Sequence, residues 1–271
     1  MPRSPRATTT GQKYSIEMAH ITIRALRKAV ALLCMAGALA NSAAIPAMAT
    51  TKALFFSNGL EQRLEVAVRA DDPVGIDQLL NAGARVDARG LHDVTPLMIA
   101  VDAQSPRAVA ALLRASANPN LKAADGAGAV HLAVENHATK PSGHAILQMI
   151  MKSGGDPNTL RPDRDPVIAR FLFDHDLDDL RWFAAFGANV DIVGRGFRPL
   201  IANAAFGQNW DGVWCLVELG AKYDYENTLY PLSEALDSPY GSSPDGSVYP
   251  YKRKVWQLMK DKGLTVRPWK E

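Results

Sequence analysis

The sequence predicts an all-α fold, a solenoid of about six stacked units that each hold a pair of short helices. Three observations predict it. Six short segments look alike: "NAGARVD" around Gly83, "RASANPN" around Ser116, "KSGGDPN" around Gly154, "AFGANVD" around Gly187, "ELGAKYD" around Gly220 and a weaker "DKGLTVR" around Gly263. They follow one another after 33, 38, 33, 33 and 43 residues, and a period of this size is the mark of stacked supersecondary units. An apolar pair precedes each of them, and an apolar helix start follows about 12 residues later in each unit that is followed by another.

The first unit, 59–90, has a second helix opening at Asp72-Pro73 and closing at Leu79-Leu80 before Gly83. The second, 91–123, opens with "TPLMIA": Thr95 is placed to N-cap and Pro96 to fill the first helical position, where its missing N–H costs nothing. Its second helix is expected to start in the same way at Ser105-Pro106 and to end at Leu112-Leu113. The third, 124–161, runs from "GAVHLA" to Met149-Ile150, with five extra residues in "HATKPSGH" between its helices. The fourth, 162–194, runs from "PVIARF" to Trp182-Phe183, and the fifth, 195–227, from "RPLIAN" to Leu216-Val217. The sixth, 228–268, runs from "YPLSEA" to Leu258-Met259 and carries ten extra residues in "DSPYGSSPDGSVYP". Pro, Gly and Ser in both insertions read as surface loops. The second insertion holds Tyr240 and Tyr249, with Tyr251 just beyond, aromatics enough for a candidate contact.

Thr-Pro-Leu-x-x-Ala, then Leu-Leu, then Gly-Ala-x-x-Asp/Asn at a period of 33 resembles the ankyrin repeat family. The resemblance covers roughly residues 59–268. It is strongest in 91–120 and in "GAVHLAVENH", and weaker where "DPVIARFLF" lacks Thr-Pro-Leu and at both ends. It implies helix–turn–helix units with projecting β-turn fingers, and it implies that the imidazole of His131 hydrogen-bonds neighbouring turns.

The N-terminal 49 residues read as a secretion signal. Arg24, Arg27 and Lys28 precede an apolar run from Ala29 to Ala40, and Ala47-Met48-Ala49 has the small-x-small form of a cleavage site. The run is too short to span a bilayer. Met18 is an alternative start to Met1. Residues 50–58 are expected to be a linker, and the cleaved protein to be periplasmic, with no stable membrane insertion. The first 49 residues hold six basic and one acidic residue; the rest hold 24 basic and 27 acidic, a net of −3 that gives no electrostatic reason to expect nucleic acid. Beyond residue 49 one cysteine remains, Cys215, inside the apolar "WDGVWCLVEL", where a buried thiol is expected.

Catalysis finds no support in the motifs. No Gly-x-Ser-x-Gly, phosphate loop or Cys-His pairing occurs, and no cofactor is implied. His131, Glu135, His137 and His144 are close in sequence, but without His-Glu-x-x-His they are read as structural, and no metal is expected. The acids Asp174, Asp176, Asp178 and Asp179 fall where a second helix begins, the end of a helix dipole that favours negative charge. Trp182, Trp210, Trp214 and Trp256 are expected to pack between units.

What is left is binding. By the period, the β-turn tips fall at "ARGLHD", "LKAADG", "LRPDRD", "VGRGFR" and "DYENTLY". The expected contact residues are Arg89, His92, Lys122, Arg161, Arg164, Arg195, Phe197, Tyr225 and Tyr230, because Arg and aromatics dominate interface energetics. The expected partner is another protein, the chain itself being a monomer. An immunity or inhibitor protein against a periplasm-acting toxin or hydrolase is the leading expectation, and a periplasmic scaffold for an antioxidant enzyme the alternative.

Overall fold

The computed structural model describes residues 54–57, 59–194, 198–223, 232–237, 249–264, 266–267 and 269. Residues 1–49, expected to be a secretion signal, and the heart of the second insertion, 238–248, lie outside them. Among the described residues twelve α-helices follow in chain order: α1 (Gly59–Arg69), α2 (Pro73–Asn81), α3 (Pro96–Asp102), α4 (Pro106–Arg114), α5 (Ala129–Asn136), α6 (Gly143–Lys152), α7 (Ala169–Phe173), α8 (Leu177–Ala184), α9 (Leu200–Phe206), α10 (Trp210–Glu218), α11 (Leu232–Asp237) and α12 (Tyr249–Asp261). Among the described residues there is no strand, only the isolated bridges Lys122↔Gly128, Leu160↔Pro166 and Val193↔Pro199. No helix among them is long and apolar enough to cross a membrane.

The period seen in the sequence is a period of backbone conformation. Gly83, Ser116, Gly154, Gly187, Gly220 and Gly263 all have φ between +66° and +100°. Each sits just past a second helix, where the chain must leave the helix through the left-handed region. A second left-handed series, Asp71, Gln104, His175 and Gln208, lies in the tight turns between paired helices. In the unit with five extra residues, that turn is replaced by the loop between Asn136 and Gly143. A Cβ on Gly143 would run into the carbonyl oxygen of Asn136, so the loop closes only with glycine there.

Paired helices pack on each other, and like helices stack. First helices meet as α1–α3–α5 and α9–α11; second helices meet as α2–α4–α6 and α8–α10–α12. The apolar pair of each unit contributes one fully or nearly buried residue: Leu79, Leu112, Ile150, Phe183, Leu216 and Met259. Burial on this scale, at about 1.5–3 kcal/mol per large apolar side chain, is what holds helices of five to thirteen residues that would not persist alone. The tryptophans join the stack as expected. Trp210 is fully buried, with Lys252 of α12 over its ring at 5.2 Å. Lys254 lies over Trp214 at 5.3 Å.

Capping departs from expectation at one point. Thr95 caps α3 by accepting from Met98 N–H at 3.3 Å, and Asp72 caps α2 through Gly75 N–H. Ser105 stands at the N-cap of α4 but makes no side-chain bond. Its task falls to the preceding unit: Asp71 Oδ1 accepts from Ala108 N–H at 2.7 Å, and Oδ2 pairs with Arg107 at 3.0 Å. Where Thr-Pro-Leu is missing, the chain enters α7 through i→i+3 bonds (Ala169 to Pro166, Arg170 to Val167, Phe171 to Ile168), and the helix is only five residues long.

Residues 54–57 fall within the stretch expected as a linker, yet they are tied down. Glu65, fully buried in α1, accepts from the N–H groups of Phe55 at 2.7 Å and Phe56 at 3.1 Å. Its other oxygen holds Arg69 at 2.7 Å. The carbonyl of Phe55 in turn accepts from Leu91 N–H.

Candidate protein-binding face

Between the stacked pairs, the chain makes three fully described reverse turns of one design. Each closes by a backbone pair, Gly90 to Val94, Ala123 to Ala127 and Arg161 to Asp165. Each has a left-handed residue at its tip: Asp93 at φ +60°, Gly126 at +88° and Arg164 at +70°. Asp125 and Asp163 brace their own turns by accepting from Ala127 and Asp165 N–H. Successive turns also touch, with Ala124 N–H donating to His92 O at 2.9 Å and Arg89 donating to Lys122 O at 3.0 Å.

A ladder of side chains fixes the roots of these turns. Asp87 accepts from Asn118 N–H, Asn120 from Asp156 N–H, Asn158 from Asn189 N–H and Asp191 from Lys222 N–H. Within each root, Asn118, Asp156 and Asn189 accept from the N–H two residues on. The result is an unbroken run of bonds from Asp87 to Lys222. It locks the spacing of the turns while their tips stay in solvent.

Five of the nine expected contact residues are described. His92, Lys122 and Arg164 are exposed on the turns. Arg89 is engaged with the next turn and lies 3.9 Å from Asp93. Arg161 is turned inward: its side chain is 22% exposed and pairs with Glu135 of α5 at 3.5 Å and Asp163 at 3.3 Å. Glu135 also meets Arg170 of α7, which pairs with Asp174 at 2.7 Å. Arg195, Phe197, Tyr225 and Tyr230 lie outside the described residues.

Two exposed aromatics escaped the sequence reading. Phe173 and Phe206, 63% and 39% exposed, end α7 and α9 at equivalent positions 33 residues apart. Following the period into the first helices, and not only through the turns, finds them.

Cys215 is buried, and burial pushes its thiol pKa up, with Arg181 opposing. Asp176 caps α8 through Asp179 N–H at 3.0 Å, and Asp178 and Asp179 occupy the first turn of that helix. The hydrogen bonding implied for His131 is not found. Its Nδ1 is buried without a partner, and Gly128, at the N-cap of α5, has no side chain to supply one. Burial lowers its pKa, with nearby Glu135 opposing. His137 and His144 instead converge with Asp176 and Asp179, joining two clusters that looked unrelated along the chain.

Residues 92–124 match the family model for the ankyrin repeat. The match spans one period, and its two ends are the His92 and Ala124 that bond across adjacent turns. Ankyrin repeats are general protein-binding modules, and a role in protein interaction follows for this stretch. No curated protein matches the chain.

Proposed function

We propose that residues 59–268 are a solenoid of six ankyrin-like repeats that binds another protein and performs no catalysis itself. The observation that carries this reading is the ladder from Asp87 to Lys222. It spaces the reverse turns as one rigid row, so the cost of ordering a binding surface is met before a partner arrives. His92, Lys122 and Arg164 are set out along that row, and Arg195, Phe197, Tyr225 and Tyr230 continue it in the sequence. Positive φ at Asp93 and Arg164 is further support, because strained backbone concentrates at functional sites.

The chain acts in the periplasm after loss of residues 1–49, as an immunity or inhibitor protein for a toxin or hydrolase. A rigid, mildly acidic surface without chemistry suits a protein that covers another's active site. Affinity purification of residues 50–271 from the native periplasm, with mass spectrometry, tests this. One stoichiometric toxin-like or hydrolase partner is expected. Recovery of an antioxidant enzyme would move the reading to a scaffold, and recovery of no partner would overturn the binding role.

A further inference from the structure

We infer that His137, Asp176 and Asp179 form a binding site for a divalent metal ion of the zinc type, clamping the loop after α5 to the start of α8. The inference is independent of any protein partner. Among the described residues, these three bring one imidazole nitrogen and two carboxylate oxygens within 4.8 Å of one another.

The imidazole decides the chemistry. Its Nδ1 lies 2.6 Å from Val134 O. A carbonyl oxygen only accepts, so Nδ1 carries the proton. In the neutral ring Nε2 is then a lone pair, and this tautomer is the one metal-bound histidines adopt when a backbone carbonyl orients them. The His137 side chain is 2% exposed, and its Nε2 has no hydrogen-bond partner. That nitrogen faces Asp176 Oδ2 at 3.7 Å and Asp179 Oδ2 at 3.7 Å. Three electron-rich atoms thus converge at a spacing too long for a hydrogen bond. With ligand bonds of about 2.0–2.2 Å, tetrahedral zinc sets its donor atoms roughly 3.3–3.6 Å apart, so the two imidazole–carboxylate distances need contract by only a few tenths of an ångström, while the two carboxylate oxygens, within 4.8 Å of each other, draw together around the ion.

Each ligand is held from behind. Asp176 keeps its Oδ1 on Asp179 N–H, which leaves Oδ2 free to face the imidazole. Asp179 Oδ2 is also 3.4 Å from Nδ1 of the exposed His144, which stands against that carboxylate. The Phe171 ring packs edge-on against His137 at 4.8 Å, with Phe183 behind it at 5.1 Å, a dry wall on one side of the site. One nitrogen and two carboxylate oxygens form a borderline donor set that suits zinc better than calcium, which takes six to eight oxygens. The site also has a mechanical place. Contact between α6 and α8 is thinner than between α4 and α6, and a metal bridging the loop to α8 would reinforce that junction.

The test is calorimetric titration of the metal-stripped, purified chain with zinc chloride, with melting temperature followed in parallel and cobalt as a spectroscopic probe. One ion per chain, a raised melting temperature and the visible absorption of tetrahedral cobalt are expected. The double variant Asp176→Asn/Asp179→Asn retains an acceptor for the α8 cap and should fold. It should bind zinc about a hundredfold more weakly or worse, while Asp77→Asn, at a carboxylate paired with Arg114 on the second helix pair, should bind as the parent does. Absence of saturable binding by the parent chain would overturn the site. So would undiminished binding by the double variant, or a parent chain stabilised by acid and indifferent to metal, which would make protonated His137 the cation.

Discussion

Asn120 bonds twice to the turn of the following unit: its Oδ1 accepts from Asp156 N–H at 2.7 Å, and its Nδ2 donates to Gly154 O at 2.9 Å. Asn158 repeats both contacts one unit later, to Asn189 N–H and Gly187 O. At the ends of the ladder stand Asp87 and Asp191, carboxylates that accept from Asn118 and Lys222 N–H. Amide side chains thus occupy the middle of the run, where both a donor and an acceptor are used.

Replacing Asn120 separates the two bonds. Asn120→Asp keeps the acceptor and loses the donor, and should cost about 1 kcal/mol; Asn120→Ala loses both and should cost up to about 2 kcal/mol. Urea denaturation of the two variants gives the order. Equal costs would mean that the bond from Asp156 N–H contributes nothing, and an Asn120→Asp variant as stable as the parent would mean the same of the contact to Gly154 O.

The left-handed positions predict effects of opposite sign. Gly154 has φ +87° with open space around an added Cβ, so Gly154→Ala should destabilise by about 1–2 kcal/mol from backbone strain alone. Ser116 has φ +66°, and Ser116→Gly should stabilise by about 0.5–1 kcal/mol. Chemical denaturation of both variants checks the pair.

Glu65 anchors the N-terminal strip. Glu65→Leu removes the acceptor for Phe55 and Phe56 N–H and the partner of Arg69, and should cost about 3 kcal/mol. Limited proteolysis should then cut near residues 54–57 well before the parent chain is cut. An unchanged cleavage pattern would show that the strip is held by other contacts.

His131 makes stability depend on pH. Burial lowers its pKa from the ordinary 6.5, so below 6.5 the unfolded chain binds the proton more readily than the folded one. Its contribution is therefore complete above pH 6.5 and declines as pH falls from there towards the lowered folded value. Denaturation midpoints in that window should fall less steeply in His131→Gln than in the parent. Identical slopes would remove His131 from the account.

Much of this fold was legible along the chain because its punctuation is local. A glycine past a helix, an apolar pair before it and a Thr-Pro at a helix start each act within a few residues. The six turn positions, including the serine at 116, follow from the likeness of the segments and their spacing, and they share one backbone conformation. What was not legible crosses between units. The capping of α4 by Asp71 joins residues 37 apart, and the convergence of His137 with Asp176 and Asp179 depends on a five-residue insertion that shifts the local period. Arg161 shows the same limit in the candidate face: its residue type suited an interface, but Glu135 of α5 pairs with it from inside the array. Only the stacked geometry reveals that partner.

The most direct measurement is the affinity of the purified partner for a variant carrying His92→Ala, Lys122→Ala and Arg164→Ala, compared with the parent and with Lys152→Ala at the exposed end of α6. The turn-row account predicts at least a tenfold loss, about 1.4 kcal/mol, in the triple variant and none in the control, with melting temperatures unchanged. Parent-like affinity in the triple variant would contradict it and place the partner on another face.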